Sequence, residues 1–350
     1  RAIAAMPVAG SYRSIDFALS NMSNSKIQKV AVITQYNARS LNEHLSSSKW
    51  WNFGRKQGGL FLFTPTVTAD NSDWYRGTAD AMYQNIDFLK RRHEPYVIIS
   101  SGDCVYKLDF NRVLDFHIEK KSDITVVCKD MMYNDDVSRF GVVRMDDESR
   151  ITEFDEKPIE ASSNTISTGI YVIRRRQLIE LLEAAAEENR FDFVNDILVR
   201  YKNVKKIYGY KINSYWNNIA DIDAYFKTNM DFLRPDVRSY FFREEPTICS
   251  KVDDLPPAKF NPGSDISNSL VSSGCIINGI VEDSVLFKQV FVGKNTTVKN
   301  CVILNDVYIG DNVHLENCIV ESRGTINPNT CYCGEDGVMI VKEKNVRYVI

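Results

Sequence analysis

NSLV (268–271), DSVL (283–286), NCVI (300–303) and NCIV (317–320) begin 15, 17 and 17 residues apart. The doublets VG (292–293) and IG (309–310) keep the same 17-residue step. Short apolar triplets between small polar turns, with no helical period, describe stacked coils of a parallel β-helix. A three-sided coil of roughly 18 residues fits this spacing best. One such segment alone would mean little, but four in register predict a solenoid from about residue 263.

Upstream of the repeat the pattern is different. KVAVIT (29–34), YVIIS (96–100), DITVVCKD (123–130) and STGIYVI (167–173) are continuous β-branched runs. Helix-like segments such as TADAMYQNIDFLKRR (78–92) and NRVLDFHIEKK (111–121) separate them. Strands without polar alternation are buried on both faces, which predicts an α/β domain with a doubly wound, mostly parallel sheet. Ligands in such sheets sit outside the carboxyl ends of the strands. The proline- and charge-rich stretch 234–265 reads as an extended linker. The expected organisation is an α/β domain over 1–235, a linker over 236–262 and a β-helix with a C-terminal tail over 263–350.

The composition sets bounds on function. Of 350 residues 44% are hydrophobic and 25% charged, as in soluble globular proteins, and two domains are expected at this length. A net charge of −3 gives no pull toward nucleic acid or anionic membranes. No apolar run is long enough to span a bilayer and no secretory signal is recognisable, so a cytoplasmic location is expected. Cys275, Cys301 and Cys318 fall inside the repeat triplets, and Cys104 and Cys128 lie in or beside strands. Cys331 and Cys333 form a C-x-C pair without a second pair or a nearby His, which is poor zinc spacing. All eight cysteines are expected to be free buried thiols without function.

Three motifs carry chemistry. WYRGTADAMYQN (74–85) puts Tyr75, Gly77 and Thr78 where a helix begins, and free backbone amides there suit a base or phosphate. Thr78 as a plain N-cap is the competing reading. SGDCVYKLDF (101–110) places Asp103 just past a strand end, suited to a divalent cation between phosphates, or to an ordinary turn. FGVV (140–143) leading to EFDEKP (153–158) reads as a hairpin that delivers Glu156 and Lys157. Those two could grip a sugar hydroxyl and a phosphate, or form an exposed ion pair.

In this order the motifs, with YRSIDFALSNMSNSKIQKVAVITQYNARSL (12–41) and YWNNIADIDAYF (215–226), resemble the ADP-glucose pyrophosphorylase (glucose-1-phosphate adenylyltransferase) family along nearly the whole chain. The resemblance implies a nucleotide-diphospho-sugar transferase fold followed by a left-handed β-helix. It also implies transfer of AMP from ATP to glucose 1-phosphate with Mg²⁺, giving ADP-glucose and pyrophosphate for glycogen biosynthesis. Tyr75, Gly77, Thr78, Gly141, Glu156, Lys157 and Ser167 match substrate positions. Asp103 and Lys157 match catalytic ones, Asp103 doubles as a metal ligand, and Arg1 and Arg13 match effector arginines.

The departures from the family pattern are equally specific. A lysine expected after Arg1-Ala2 is Ile3, a histidine expected between the effector arginines is Pro7, and the second metal-binding aspartate is Asn218. A glycine-rich phosphate loop expected ahead of Arg1 is not in the sequence. Asp221 stands three residues beyond Asn218 and is expected to face elsewhere. Loss of one well-placed electrostatic partner costs on the order of 10²–10³ in rate. The sequence therefore predicts a weakly active or inactive regulatory subunit of the GlgD type, which binds ligands and joins a catalytic homologue in a tetramer. The alternative is a fully competent adenylyltransferase. An acyltransferase on the β-helix is disfavoured, because its coils carry one histidine, His314.

Overall fold

The computed structural model describes residues 2–54, 58–66, 74–132 and 135–344. Arg1, one of the expected effector residues, lies outside the described residues. The chain opens with two paired short strands, β1 (Pro7–Val8) and β2 (Tyr12–Arg13), then α1 (Ser14–Asn24), β3 (Lys29–Ile33), α2 (Arg39–Leu45) and β4 (Gly59–Phe63). Next come α3 (Thr78–Gln84), α4 (Ile86–Lys90), β5 (Tyr96–Ser100), β6 (Cys104–Tyr106), α5 (Phe110–Glu119) and β7 (Ile124–Asp130). The hairpin β8 (Gly141–Met145) and β9 (Ile151–Glu156) leads to β10 (Thr165–Arg174) and α6 (Arg175–Glu187). The domain finishes with β11 (Ile207–Lys211), β12 (Trp216–Asn218), α7 (Ile222–Asp231) and α8 (Pro235–Phe242).

The central sheet runs β11-β7-β10-β8-β9, with β5 on the other edge of β10. β11 and β7 are parallel, while β10 is antiparallel to both β7 and β5. Strands β5, β7 and β11 therefore point one way, as a mostly parallel sheet requires. The reversed strand sits in their midst, so most of the hydrogen-bonded pairs are antiparallel, which the sequence does not disclose. β3 and β4 pair in parallel as a separate ribbon.

Burial on both faces explains the continuous apolar runs. Val126, Cys128, Tyr171 and Ile173 pack with Leu178, Leu181 and Leu182 of α6. Val127, Ile170 and Val172 point the other way and pack with Phe110 and Val113 of α5.

Five rungs stack on each of three parallel sheets in the β-helix. Its corners are residues at positive φ: Asn268, Asp283, Asn300 and Asn317 at one, Gln289, Asp306 and Arg323 at the next, Asn295, Asn312 and Asn329 at the third. Asn and Asp tolerate the left-handed region better than other residues with a side chain. Their side chains also ladder from coil to coil, as in Asn268 Nδ2 to Asp283 Oδ1 at 2.6 Å and Asn312 Nδ2 to Asn329 Oδ1 at 3.1 Å. The fifth rung escapes the sequence repeat because Cys318 pairs with Met339, 21 residues on, rather than 17.

Two expectations need correction. The linker is not extended throughout, since α8 begins with Pro235 at its first turn and buries Val237 and Phe241. Nor are all cysteines buried: Cys249 and Cys331 are exposed and Cys333 is half-buried, all eight being free thiols.

Phe241 stands edge-on to Phe17 at 5.4 Å and to Tyr215 at 5.3 Å. This aromatic group shares one core with Val285, Phe287, Val302, Leu304 and Ile319 of the solenoid. The apolar residues that point outward on one solenoid face are thus covered by the α/β domain. Replacing Phe241 with Ala should cost about 3–5 kcal/mol by denaturant unfolding. A cost below about 1 kcal/mol would show that this cluster does not hold the two halves together.

Candidate functional site

The carboxyl end of β5 runs into Ser101-Gly102-Asp103, and β6 then pairs antiparallel with β12 so that Asn218 faces Cys104. Asp103 Oδ1 accepts from Ser101 Oγ and from the Cys104 thiol, the latter at 3.3 Å. Asn218 Nδ2 lies 3.5 Å from the same sulfur. The two expected metal positions are therefore brought side by side, with the Cys104 thiol between them. The Asn218 oxygen accepts from Ala220 N–H at 2.9 Å. Asp221 is committed elsewhere: it caps α7 through Ala224 N–H at 2.7 Å and pairs with Arg139. One carboxylate and an amide whose oxygen is already bonded do not fit a two-carboxylate Mg²⁺ site. Ile3 is 42% exposed, and its neighbour Ala4 abuts Gly102 of the Asp103 loop. The position where a cation is expected thus carries an exposed apolar side chain, one residue from the Ala4 contact with that loop.

A second group gathers around the β8–β9 hairpin. Gly141 pairs with Glu156, and a Cβ on Gly141 would come within 2.9 Å of the Glu156 carboxylate and 2.7 Å of Phe154. Lys157 has φ +49°, its Nζ lies 3.7 Å from Glu156 Oε1, and its side chain is 66% exposed. Burial pushes the Glu156 carboxyl above its ordinary value; Lys157 opposes this and Asp192 reinforces it. Ser167 is buried, 3.3 Å from the Tyr171 hydroxyl.

Gly169, at φ +74°, breaks the register of β10 and accepts from Ser101 N–H at 3.0 Å. Its own N–H lies 3.5 Å from Ser167 Oγ. That irregularity ties the Asp103 loop to Ser167, so both groups lie at one end of the sheet.

The 74–85 segment departs from expectation. Ala79 N–H and Asp80 N–H both donate to Phe191 C=O, at 2.8 and 3.2 Å. Thr78 Oγ1 accepts from Phe193 N–H at 3.0 Å and does not cap α3, while the residue itself is exposed. Gly77 is small for packing, since a Cβ there would sit 2.3 Å from Phe191 C=O. The Ala79 and Asp80 amides at the start of α3 are thus spent on the Phe191 carbonyl. Tyr75 is buried, with its hydroxyl 3.0 Å from Asn85 Nδ2. Its backbone is clasped by Gln35, which accepts from Tyr75 N–H at 2.6 Å and donates to Tyr75 C=O at 3.2 Å. Gln35 was not singled out in the sequence, although it lies just past the carboxyl end of β3, where the strand-end rule points.

The remaining expected effector residue, Arg13, donates from Nη1 to Ser40 C=O at 2.7 Å. With Pro7, His44, Lys251 and Lys288 it lines a separate cleft of about 150 Å³ between the domains. A histidine is thus present there, though from α2 rather than from position 7.

An α/β sheet domain with a carboxylate, an ion pair and hydroxyls gathered at its strand ends, joined to a left-handed hexapeptide solenoid, defines a nucleotidyltransferase. A nucleotidyl transferase family profile matches residues 1–234, and a GlmU-like C-terminal hexapeptide profile matches residues 256–341. The chain is 39% identical over 297 residues to the glucose-1-phosphate adenylyltransferase of Pseudothermotoga lettingae, covering 84% of this chain and 70% of that relative. It is 37% identical over 297 residues to the enzyme of that name from Clostridium novyi, covering 84% of this chain and 78% of the relative. The chain belongs to the glucose-1-phosphate adenylyltransferase, or ADP-glucose pyrophosphorylase, family.

Two outcomes test this geometry. Glu156 should titrate above the ordinary glutamate range; Lys157→Ala should raise it further and Asp192→Asn should lower it, as followed by carboxyl NMR. Gly141→Ala should destabilise by about 1–3 kcal/mol, as expected for an overpacked site, and wild-type stability in that variant would contradict the close approach.

Proposed function

We propose that this chain is a glucose-1-phosphate adenylyltransferase subunit of glycogen biosynthesis that binds ATP, ADP-glucose and glucose 1-phosphate but turns over weakly or not at all. In this reading it is a GlgD-type regulatory subunit that works in the cytoplasm within a hetero-oligomer, a tetramer with a catalytic homologue. The observation that carries it is Asn218 beside Asp103, an amide with its oxygen already bonded in place of a second carboxylate. Nucleotidyl transfer relies on positioning and on cancelling phosphate charge, so a neutral residue there and Ile3 in place of the expected lysine remove much of what the reaction needs.

Binding draws on other residues. Glu156 accepts sugar hydroxyls, Lys157 meets phosphate through its exposed ammonium, and Gly141 leaves room for Phe154 and the Glu156 carboxylate to take up that position. Ser167 and Tyr75 line the approach. Mg²⁺ would supply screening of phosphate charge, and of the two expected metal positions only Asp103 would offer it a carboxylate. The cleft holding Arg13 is the proposed effector site, where Arg13, Lys251 and Lys288 outnumber the two lining carboxylates, Glu43 and Asp253, the latter paired with Lys288 at 2.8 Å. The competing reading, a fully competent adenylyltransferase, draws support from the retained Gly141–Glu156–Lys157 group and from the names of the relatives.

Coupled pyrophosphate release by the full-length protein, alone and with a catalytic homologue, separates the two. The chain alone should stay near background, and a kcat within the ordinary enzyme range of about 1–10³ s⁻¹ would sink the regulatory reading. Asn218→Asp with Ile3→Lys should raise kcat by on the order of 10²-fold or more, with a steeper Mg²⁺ dependence. Lys157→Ala should weaken ADP-glucose binding by roughly 10- to 100-fold in calorimetry. Absence of any binding by the unsubstituted chain would leave only a scaffolding role.

A further inference from the structure

Along the chain, Cys331-Tyr332-Cys333 is poor metal spacing, but the solenoid adds a second row. Strand His314–Glu316 pairs in parallel with Cys331–Cys333, setting His314 beside Cys331 and Glu316 beside Cys333. Leu315 points into the solenoid core and Tyr332 packs against that core, so the four flanking side chains alternate outward on one face. His314, Glu316 and Cys333 are half-buried and Cys331 is exposed.

The geometry is already close to that of a metal shell. His314 Nε2, a Glu316 carboxylate oxygen and Cys333 Sγ lie within 4.8 Å of one another. His314 Nε2 is 3.5 Å from Glu316 Oε2, and Cys331 Sγ is 3.6 Å from Cys333 Sγ. Bonds of about 2.3 Å to sulfur and about 2.0–2.1 Å to nitrogen or oxygen give tetrahedral edges of about 3.8 Å for S···S and about 3.4 Å for N···O. Both observed separations fall within a few tenths of an ångström of those edges. Among the described residues His314, Glu316 and Cys333 are the one such group of His, Cys and carboxylate side chains; Cys331 lies outside it and meets it through the Cys333 sulfur, so the exposed Cys331 side chain turns inward to complete the shell.

We propose that Cys331, Cys333, His314 and Glu316 bind a Zn²⁺ ion on the surface of the solenoid. Two thiolates and an imidazole exclude Mg²⁺ and Ca²⁺, which take oxygen ligands, and suit a borderline-soft ion of tetrahedral habit. Binding displaces one proton from each thiol to solvent and forms two Zn–S bonds, one Zn–N bond and one Zn–O bond, with no change of oxidation state. Two thiolates and one carboxylate leave the site with one net negative charge, which Lys299 is placed to offset, its Nζ 3.8 Å from Glu316 Oε1. The ion bridges two successive coils just before the solenoid loses its 17-residue step, and so staples the end of the stack.

The test uses the reduced full-length protein, stripped by chelator and titrated with Zn²⁺ and with Co²⁺ as a spectroscopic probe. One equivalent of Zn²⁺ should bind, and the Co²⁺ form should show thiolate charge-transfer absorption with intense tetrahedral bands. Cys331→Ser with Cys333→Ser should abolish that absorption, and His314→Ala should weaken Zn²⁺ binding more than about tenfold. Cys249→Ser, an exposed thiol elsewhere, should change nothing. Zn²⁺ should also slow alkylation of Cys331 and Cys333 but not of Cys249, a readout independent of any variant's folding. Substoichiometric zinc, undiminished binding in the double variant, or a weak octahedral Co²⁺ spectrum would overturn the proposal.

Discussion

A solenoid coil closes only if the chain turns sharply three times, and here each turn depends on a residue held at positive φ. For a residue with a side chain that conformation is costly, and Asn or Asp tolerate it best. The corner series 300 and 317, 295, 312 and 329, and 306 and 323 fixes a 17-residue step through the middle of the solenoid. With the step fixed, every inward and outward side chain falls into a row. The inward rows are the core of valine, isoleucine, leucine and cysteine. One outward row, Val285, Val302 and Ile319, is the surface onto which the α/β domain docks. Another outward row brings His314 and Glu316 onto Cys331 and Cys333.

The same constraint explains what could be read in advance. A strict period is visible in a one-dimensional string, so the solenoid and its inward thiols were legible. The fifth rung was hidden because a longer connection precedes Met339. The α/β domain was legible as a class, since strands buried on both faces leave uninterrupted apolar runs. Strand direction was not, because β10 has the same composition whichever way it runs. Phe241 was obscured by the charges and prolines around it; its helix is stabilised by tertiary packing, which local composition does not report.

In the candidate site, legibility followed chemistry. Gly141 opposite Glu156, Lys157 beside it and Asp103 at a strand end were visible as residue types in an order, and the structure gathers them at one end of the sheet. Asn218 in place of the expected aspartate was equally visible, and Asp221 three residues on is spent on the N-terminus of α7 and on Arg139. The amides of α3 mislead in the other direction. Glycine followed by threonine suggests an open cradle, yet the Phe191 carbonyl fills it. Such a partner is more than 100 residues away in sequence and leaves no local trace.

Phe17 of α1, Tyr225 of α7, Phe241 of α8 and Val302 of the solenoid share one continuous core. Ser272 Oγ adds a bond to Gly10 C=O at 2.8 Å between the solenoid and the start of the α/β domain. Kinematically, the described residues form one unbroken core across the two halves, which opposes hinge motion there. The solenoid cannot swing as a lid over the sheet without opening that core, so rearrangement around a bound nucleotide sugar must come from the loops at the strand ends. A partner gripping the free faces of the solenoid would hold a rigid handle, with α7 and the Asn218 strand fixed to its other side.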